Sequence, residues 1–309
     1  MFKKLINEAQ LTVRLAAAGP LLICSGETNA INPSLPDMCF VRCKYQGEET
    51  VYMPGSSIKG VFRSRYEQLA ERFAKSPCDI LNHKKSCSGQ ITFFEKNEKV
   101  RINGKLVNIK LSGTDRYRVS CAACRLFGNL SLGSRIQFTD AYPVGDKPVI
   151  GTRNGVAIDR ATGAARTQKG ALFNFEVVES GTFELKITLT NFARYQLALI
   201  LAILEDIDAG FVSFGMGTSR GNGYMKISNR SDMPMLYRYF GKKIERFCGY
   251  DPGDAGKKIE LIPQVFAQEY TCSGMNDILA VVGLNSDTLE NAINADIWKK
   301  LADFRRNRV

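Results

Sequence analysis

Long apolar runs are missing from this chain. No stretch approaches the roughly 20 residues that a bilayer span requires. The first residues, MFKKLINEAQLTV, carry two lysines but neither a continuous apolar segment nor a small-residue cleavage site. A membrane partner and a secretory leader are therefore not expected, and a cytoplasmic location is. Histidine is nearly absent: His83 is the only one, so histidine can supply at most one ligand to any metal. Acidic residues are also short, 31 against 42 lysines and arginines, for a net charge of +11. The shortage is local. Residues 1–227 hold 30 basic and 20 acidic side chains, whereas residues 228–309 hold 12 and 11. A polyanion such as nucleic acid is the natural partner of the first part, and a basic surface kept for solubility is the competing reading. The nine cysteines are an odd number. In a reducing compartment they favour metal ligation or burial over disulfides.

What is there centres on Phe214–Ile227, FGMGTSRGNGYMKI, with glycines at 215, 217, 221 and 223. Such spacing frees the backbone for φ > 0 and for close approach of a ligand. Thr218 and Ser219 add hydroxyls and Arg220 adds a fixed charge, a composition suited to a phosphate chain. A tight turn packed on its own domain fits as well. A dinucleotide fingerprint fits poorly, because that motif follows an early strand and opens a helix.

Cys78, Cys87 and the pair Cys121-Ala-Ala-Cys124 make a possible four-thiolate set, with His83 able to replace one cysteine. Zinc takes four such soft ligands in a closed structural site, whereas a catalytic site leaves one position open. Ordinary buried cysteines are the alternative. Cys24, Cys39, Cys43, Cys248 and Cys272 show no pattern and read as core thiols.

Periodicity gives the rest. Gln10–Ala18 alternates as a half-buried strand. Short strands over Cys39–Lys44 and Thr50–Met53 flank a Gly47 turn. Pro54-Gly-Ser-Ser opens a helix with Ser56 or Ser57 as cap and Ile58, Phe62, Tyr66, Leu69 and Phe73 as the buried stripe. Its basic first turns, with Lys59, Arg63 and Arg65, suit an anion; a solvated face with Arg63 and Arg65 partly paired to Glu67 is the plainer reading. Pro77–Ser120 shows no clear period. A strand over Ser134–Pro143, a basic loop-like insertion over Gly151–Gly170, a hairpin of Ala171–Val178 and Thr182–Thr190, a helix over Ala193–Ala209 and a last strand follow. This order is the β-α-β-β-α-β pattern of an α+β, ferredoxin-like (RNA-recognition-motif-like) domain over 1–228, with insertions at 77–124 and 151–170. Residues 229–309 form an appendix whose clearest element is a helix over Ser286–Arg306.

Together these motifs resemble the RAMP superfamily of CRISPR-associated proteins. The glycine loop, Val51-Tyr-Met-Pro-Gly-Ser-Ser-Ile-Lys-Gly60, Cys124-Arg-Leu-Phe-Gly128 and the Gly155–Gly170 stretch carry the resemblance, which covers roughly residues 8–228. The cysteines and GVAIDRATGAA point to the type III-D backbone proteins. The resemblance implies an antiviral-defence ribonucleoprotein. Its backbone subunits, alongside other CRISPR effector subunits, line up along a guide RNA (crRNA), receive a complementary single-stranded target RNA, and wedge a thumb hairpin, here 151–170, into the duplex. It also implies a zinc clip and an endoribonuclease step with Mg²⁺ or Mn²⁺ at one aspartate. Asp37, seventeen residues before Pro54, lies at the corresponding place; a turn residue after proline is the alternative. Phosphate contacts then fall to Ser56, Ser57, Lys59, Arg63, Arg125, Arg153, Arg160 and Arg166, and to Gly217, Ser219, Arg220 and Gly221 in the loop. Three other functions compete: a non-catalytic crRNA-binding subunit, an enzyme that processes precursor guide RNA, and a zinc-stabilised domain for general single-stranded RNA. With His83 the only histidine, a histidine-dependent processing enzyme is disfavoured.

Overall fold

The computed structural model describes residues 4–28, 36–71, 77–102, 105–165, 172–241, 246–250, 255–263 and 267–283. The chain is a mixed α+β fold whose main sheet is mostly antiparallel. The first strand, Asn7–Ala17, lies near its middle and buries alternate residues, Leu11, Val13 and Leu15 among them. Thr182–Thr190 pairs along almost its full length, from Glu8↔Thr190 to Ala16↔Thr182. On the other side, Met225–Ile227 pairs with residues 15–17 and Pro234–Tyr239 with residues 7–11. Buried Asn229 fills the gap between those two segments, accepting the Arg14 N–H at 2.9 Å and donating to the Thr12 carbonyl at 2.9 Å. Ile136–Phe138 and Tyr142–Pro143 flank Thr182–Thr190 at the far edge.

Two helices, Gly55–Glu71 and Arg194–Asp208, pack against each other. The first also lies on Ile136–Phe138 and the second on Met225–Ile227. Ile58, Phe62 and Tyr66 from one, and Leu197, Ile200 and Leu204 from the other, are buried with Phe183, Leu185, Ile187 and Leu189 of the sheet. Ile58, Phe62 and Tyr66 of the expected stripe are buried, Leu69 is half-buried against the core, and Phe73 falls outside the described residues. Truncating any one of these large side chains to alanine costs about 2–5 kcal/mol. No described helix is long and apolar enough to cross a membrane.

A second, four-stranded sheet joins Val149–Val156, Leu172–Ser180, Met38–Phe40 and Cys24–Thr28. It corrects two expectations. The start of the basic insertion is a strand, not a loop: Val149–Val156 pairs with Leu172–Ser180 through Arg153↔Phe175 and Asn154↔Asn174. And the strands on either side of Gly181 do not pair as a hairpin. Leu172–Ser180 belongs to the second sheet and Thr182–Thr190 to the first, so the chain changes sheets at this corner. Gly181 holds φ 155°, and its carbonyl accepts the Ala17 N–H at 2.9 Å. Alternation reports a strand but not its partner.

The aperiodic segment also holds structure. Cys87–Asn97 is a helix capped by Ser86, whose hydroxyl accepts the Gly89 N–H. Lys99–Ile102 and Lys105–Asn108 form a hairpin, and two short helices, Gly113–Val119 and Ala122–Phe127, follow. Beyond residue 228, Pro234–Tyr239 and Gln268–Ser273 extend the main sheet, and the helix Met275–Val282 packs on Arg194–Asp208. This stretch is therefore continuous with the sheet of the first part. The helix expected over Ser286–Arg306 lies outside the described residues.

Candidate metal centre and nucleic-acid interface

The segment from 78 to 127 folds back so that Cys78, Cys87, Cys121 and Cys124 converge. Their four sulfurs all lie within 4.8 Å of one another, with Cys78 and Cys124 3.5 Å apart. Among the described residues this is the group that can hold a metal ion. Four thiolates at about 2.3 Å from a tetrahedral ion sit roughly 3.8 Å apart, so the spacing fits a zinc-sized ion. His83 is not in the set.

Backbone donors reach two of the sulfurs, and the thiols split, with Cys121 held down and Cys87 and Cys124 pushed up. The Cys121 N–H donates to the Cys87 sulfur at 3.2 Å, and the Cys124 N–H to the Cys121 sulfur at 3.5 Å. Hydrogen bonds from the Cys124 and Cys87 thiols hold Cys121 well below the usual thiol range, against its burial. Cys124 is pushed up to about 12, chiefly by its side-chain hydrogen bond to Cys121. One thiolate shared among neighbouring thiols is the proton arrangement that a divalent ion displaces. Among the described residues the buried Nδ2 of Asn129, which lines a groove with Cys78, Cys87 and Cys124, has no hydrogen-bond partner. The other five cysteines are half-buried rather than fully buried core residues.

The first helix meets this cluster. Arg63 donates from Nε to Glu67 at 2.9 Å, from Nη1 to the Gly128 carbonyl at 3.1 Å and from Nη2 to the Cys124 sulfur at 3.5 Å. The Glu67 pairing expected for Arg63 is present, whereas Arg65 pairs with Asp206 at 2.8 Å. Lys59 donates to the Ser134 hydroxyl at 3.1 Å. Lys59, Arg63, Cys78, Cys87 and Cys124 share the wall of a groove of about 490 Å³. The helix cap differs from expectation. The helix begins at Gly55, whose N–H is taken by the Asp140 carboxylate at 2.7 Å, while Ser56 is exposed and Ser57 half-buried. Sequence reasoning missed Asp140 because it lies 85 residues away along the chain.

Arg125 is a correction. It is 4% exposed, and its guanidinium donates to the Tyr117 and Arg118 carbonyls and lies 5.4 Å from the Tyr117 ring centre. It braces the interior and faces no solvent-borne phosphate. Its neighbours Ala122, Ala123, Cys124, Leu126 and Phe127 are all buried, a signal that was available in the sequence. Arg135 was missed in the same way; it is 2% exposed, and its guanidinium stacks 3.9 Å from the Tyr117 ring centre.

The glycine loop is a packed turn at its ends with an open middle. Its four glycines all have positive φ. A Cβ at Gly215 would stand 2.1 Å from the Leu22 carbonyl oxygen, and one at Gly223 would stand 2.0 Å from that of Phe214. The Met216 N–H donates to Leu22 and the Gly223 N–H to Pro20, at 2.8 and 2.7 Å. Both ends are thus packed on the turn after the first strand. The middle is open: Thr218–Arg220 makes one 3-10 turn between left-handed Gly217 and Gly221, with Ser219 and Arg220 exposed.

Asp37 lies at the mouth of the second sheet, one residue before Met38–Phe40. It is exposed, and its Oδ2 accepts the Asn174 N–H at 2.8 Å. Met38 pairs in parallel with Phe175. Asn174 carried no sequence signal for this role, because only the strand pairing brings it to Asp37. No further carboxylate joins Asp37 in a metal-holding group among the described residues. Arg153 and Arg160 are exposed along the same hairpin, while Arg166 lies outside the described residues.

The sequence model of the RAMP superfamily matches residues 43–226. No curated protein matches the chain. The match spans more than half of the chain, from the hairpin before the first helix through the cysteine cluster to the strand after the glycine loop, and the chain therefore belongs to the RAMP superfamily, a family associated with CRISPR-associated complexes.

Proposed function

We propose that this chain is a backbone subunit of a type III, III-D-like CRISPR effector complex, which binds crRNA and cuts complementary target RNA at Asp37. The observation that carries the reading is the placement of Asp37. An exposed carboxylate is fixed by the Asn174 N–H beside the strand pair that carries Arg153. A residue that cuts beside a wedge in a guide–target duplex needs that position. The core is read as ferredoxin-like. The order Met225–Ile227, Asn7–Ala17, Thr182–Thr190, Ile136–Phe138, with two helices packed together, supports it.

In this reading Ser56, Ser57 and Lys59 at the first helix, Arg153 on that strand pair and Arg160 beyond it, and Gly217, Ser219, Arg220 and Gly221 in the loop grip phosphates, as does Arg166. Such contacts fix register but carry no sequence information. Sequence is left to base pairing between guide and target. Further copies and other effector subunits extend the same grip along the guide. A divalent cation, Mg²⁺ or Mn²⁺, when bound, supplies positive charge at the scissile phosphate, typically through one or two carboxylates plus substrate phosphates. Asp37 is the carboxylate available for it. It acts by orienting the reacting groups, with the RNA 2′-hydroxyl as attacking group, and no protein nucleophile is required. The four cysteines would hold zinc structurally, tying the Cys87–Asn97 helix and the Ala122–Phe127 helix to the segment at Cys78.

The test is to purify the assembled complex, identify its bound RNA, and add labelled complementary RNA. Guides of similar length and cutting at constant spacing support the proposal. A heterogeneous RNA population points to a general RNA-binding domain, and binding without cutting points to a structural subunit.

A further inference from the structure

We infer that Arg63 is an outer ligand of the cysteine cluster, a positioning residue that donates to the Cys124 sulfur and offsets the negative charge of a metal tetrathiolate. The inference rests on the four-thiolate site and not on the RNA reading, so either can fail while the other stands.

A divalent ion with four thiolates carries a net charge of about −2, from the closed four-cysteine coordination. Three of these cysteines are buried, and a buried charge is costly unless it is paired and hydrogen-bonded. The two backbone donors, Cys121 N–H and Cys124 N–H, are neutral. Among the described hydrogen bonds to the cluster, only that of Arg63 comes from a charged group. Its geometry is set beforehand. Glu67 holds Nε and the Gly128 carbonyl holds Nη1, which leaves Nη2 aimed at the sulfur. The Arg63 side chain is 17% exposed, so water dilutes the contact little.

Lys59 lines the same groove as Arg63 and the sulfurs. Its ammonium is pushed below the usual lysine range, first by burial and then by the charge of Arg63. The sulfurs of Cys78, Cys87 and Cys124 line that groove. Outer-shell donors of this kind orient ligands and tune the metal, and losing one typically weakens metal binding about 10–100-fold.

The experiment uses the full chain loaded with cobalt(II), whose sulfur-to-metal charge-transfer band reports the donor strength of the thiolates. Zinc affinity is measured in parallel by competition with a chromogenic chelator. Arg63→Gln is expected to shift the band and to weaken zinc binding by about 10–100-fold. Arg65→Gln, on the same helix but paired with Asp206, is expected to leave both unchanged. A merely structural loss would lower the amount of metal bound without moving the band. Arg63→Lys keeps the charge but not the planar fork. It is expected to bind zinc more nearly as wild type while still shifting the band, and it carries the test if Arg63→Gln does not fold. A wild-type band in every Arg63 variant that loads metal overturns the inference, as does an equal shift in Arg65→Gln.

Discussion

The Asp37 carboxylate accepts the backbone N–H of Asn174 over 2.8 Å, across two segments that are 137 residues apart in the chain. A side-chain oxygen thereby continues the pairing of Met38 with Phe175 by one step. This contact joins the proposed cutting residue to the returning strand of the pair that carries Arg153.

Removing that carboxylate should therefore separate chemistry from folding. Asp37→Ala is expected to lower cutting of complementary RNA at least roughly 100-fold, the scale of losing one group that stabilises reacting charge. The folding cost should be about 1 kcal/mol, since one exposed hydrogen bond is lost. Guide and target binding should stay near wild type. Asp37→Asn keeps an acceptor for Asn174 but not the charge, and it should be equally inactive. Gel analysis of labelled target decides it: an undiminished ladder with either variant removes Asp37 from the chemistry.

The cysteine cluster should hold about one zinc per chain, as expected for four converging thiolates. Cys121→Ser is expected to reduce the metal found by elemental analysis and to lower the melting temperature by several degrees, because site and fold form together. Protons compete with the ion for thiolates, so metal should be released as pH falls and retained as it rises. A metal-free chain that melts like the purified one would sink the assignment.

The glycines should divide by surroundings. Gly215→Ala and Gly223→Ala drive a methyl group into a carbonyl oxygen and also strain a left-handed residue. Each should cost more than about 2 kcal/mol. Gly221 has φ 86° but nothing within 4 Å of an added Cβ, so Gly221→Ala should cost only about 1–2 kcal/mol. Urea denaturation of the three variants measures the difference, and equal losses would show that packing is not what selects these glycines.

Arginines should divide in the same manner. Charge reversal at exposed Arg153, Arg160 or Arg220 is expected to weaken RNA binding equally for all guide sequences, and to flatten its salt dependence by about one unit of slope per lost phosphate contact. Arg125→Gln should leave that slope unchanged and instead lower stability, since its buried guanidinium serves the Tyr117 and Arg118 carbonyls. Titrations at several salt concentrations, alongside thermal melts, distinguish the two behaviours. A reduced slope in Arg125→Gln would return that residue to the RNA surface.

Much of the main sheet was legible because its apolar residues keep strict periods. Leu11, Val13 and Leu15 announce the first strand, and the apolar run from Leu197 to Ile207 announces the second long helix. The cysteines were legible from spacing alone. The helix Cys87–Asn97 was not, because its buried residues are Cys87, Ser88, Gly89 and Ile91, three of them too small to draw an apolar stripe. The strand expected over Ser134–Pro143 is interrupted between Phe138 and Tyr142, where Asp140 turns to cap the first helix. No local pattern encodes a partner 85 residues away.

The corner at Gly181 makes the second sheet a ruler. One residue separates Leu172–Ser180 from Thr182–Thr190, so no slack loop can absorb a change in length. From Asn174 to this corner the chain spans seven residues of strand, about 23 Å at the rise of an extended chain. A single inserted residue would turn every following side chain to the opposite face unless a bulge absorbed it. Two added residues keep every face and carry the Asn174 N–H that anchors Asp37 about 7 Å further from the main sheet, whereas a single one needs a further bulge like that already opposite Val149 and Ile150. Variants with two residues added or removed would therefore move the site of cutting by discrete steps.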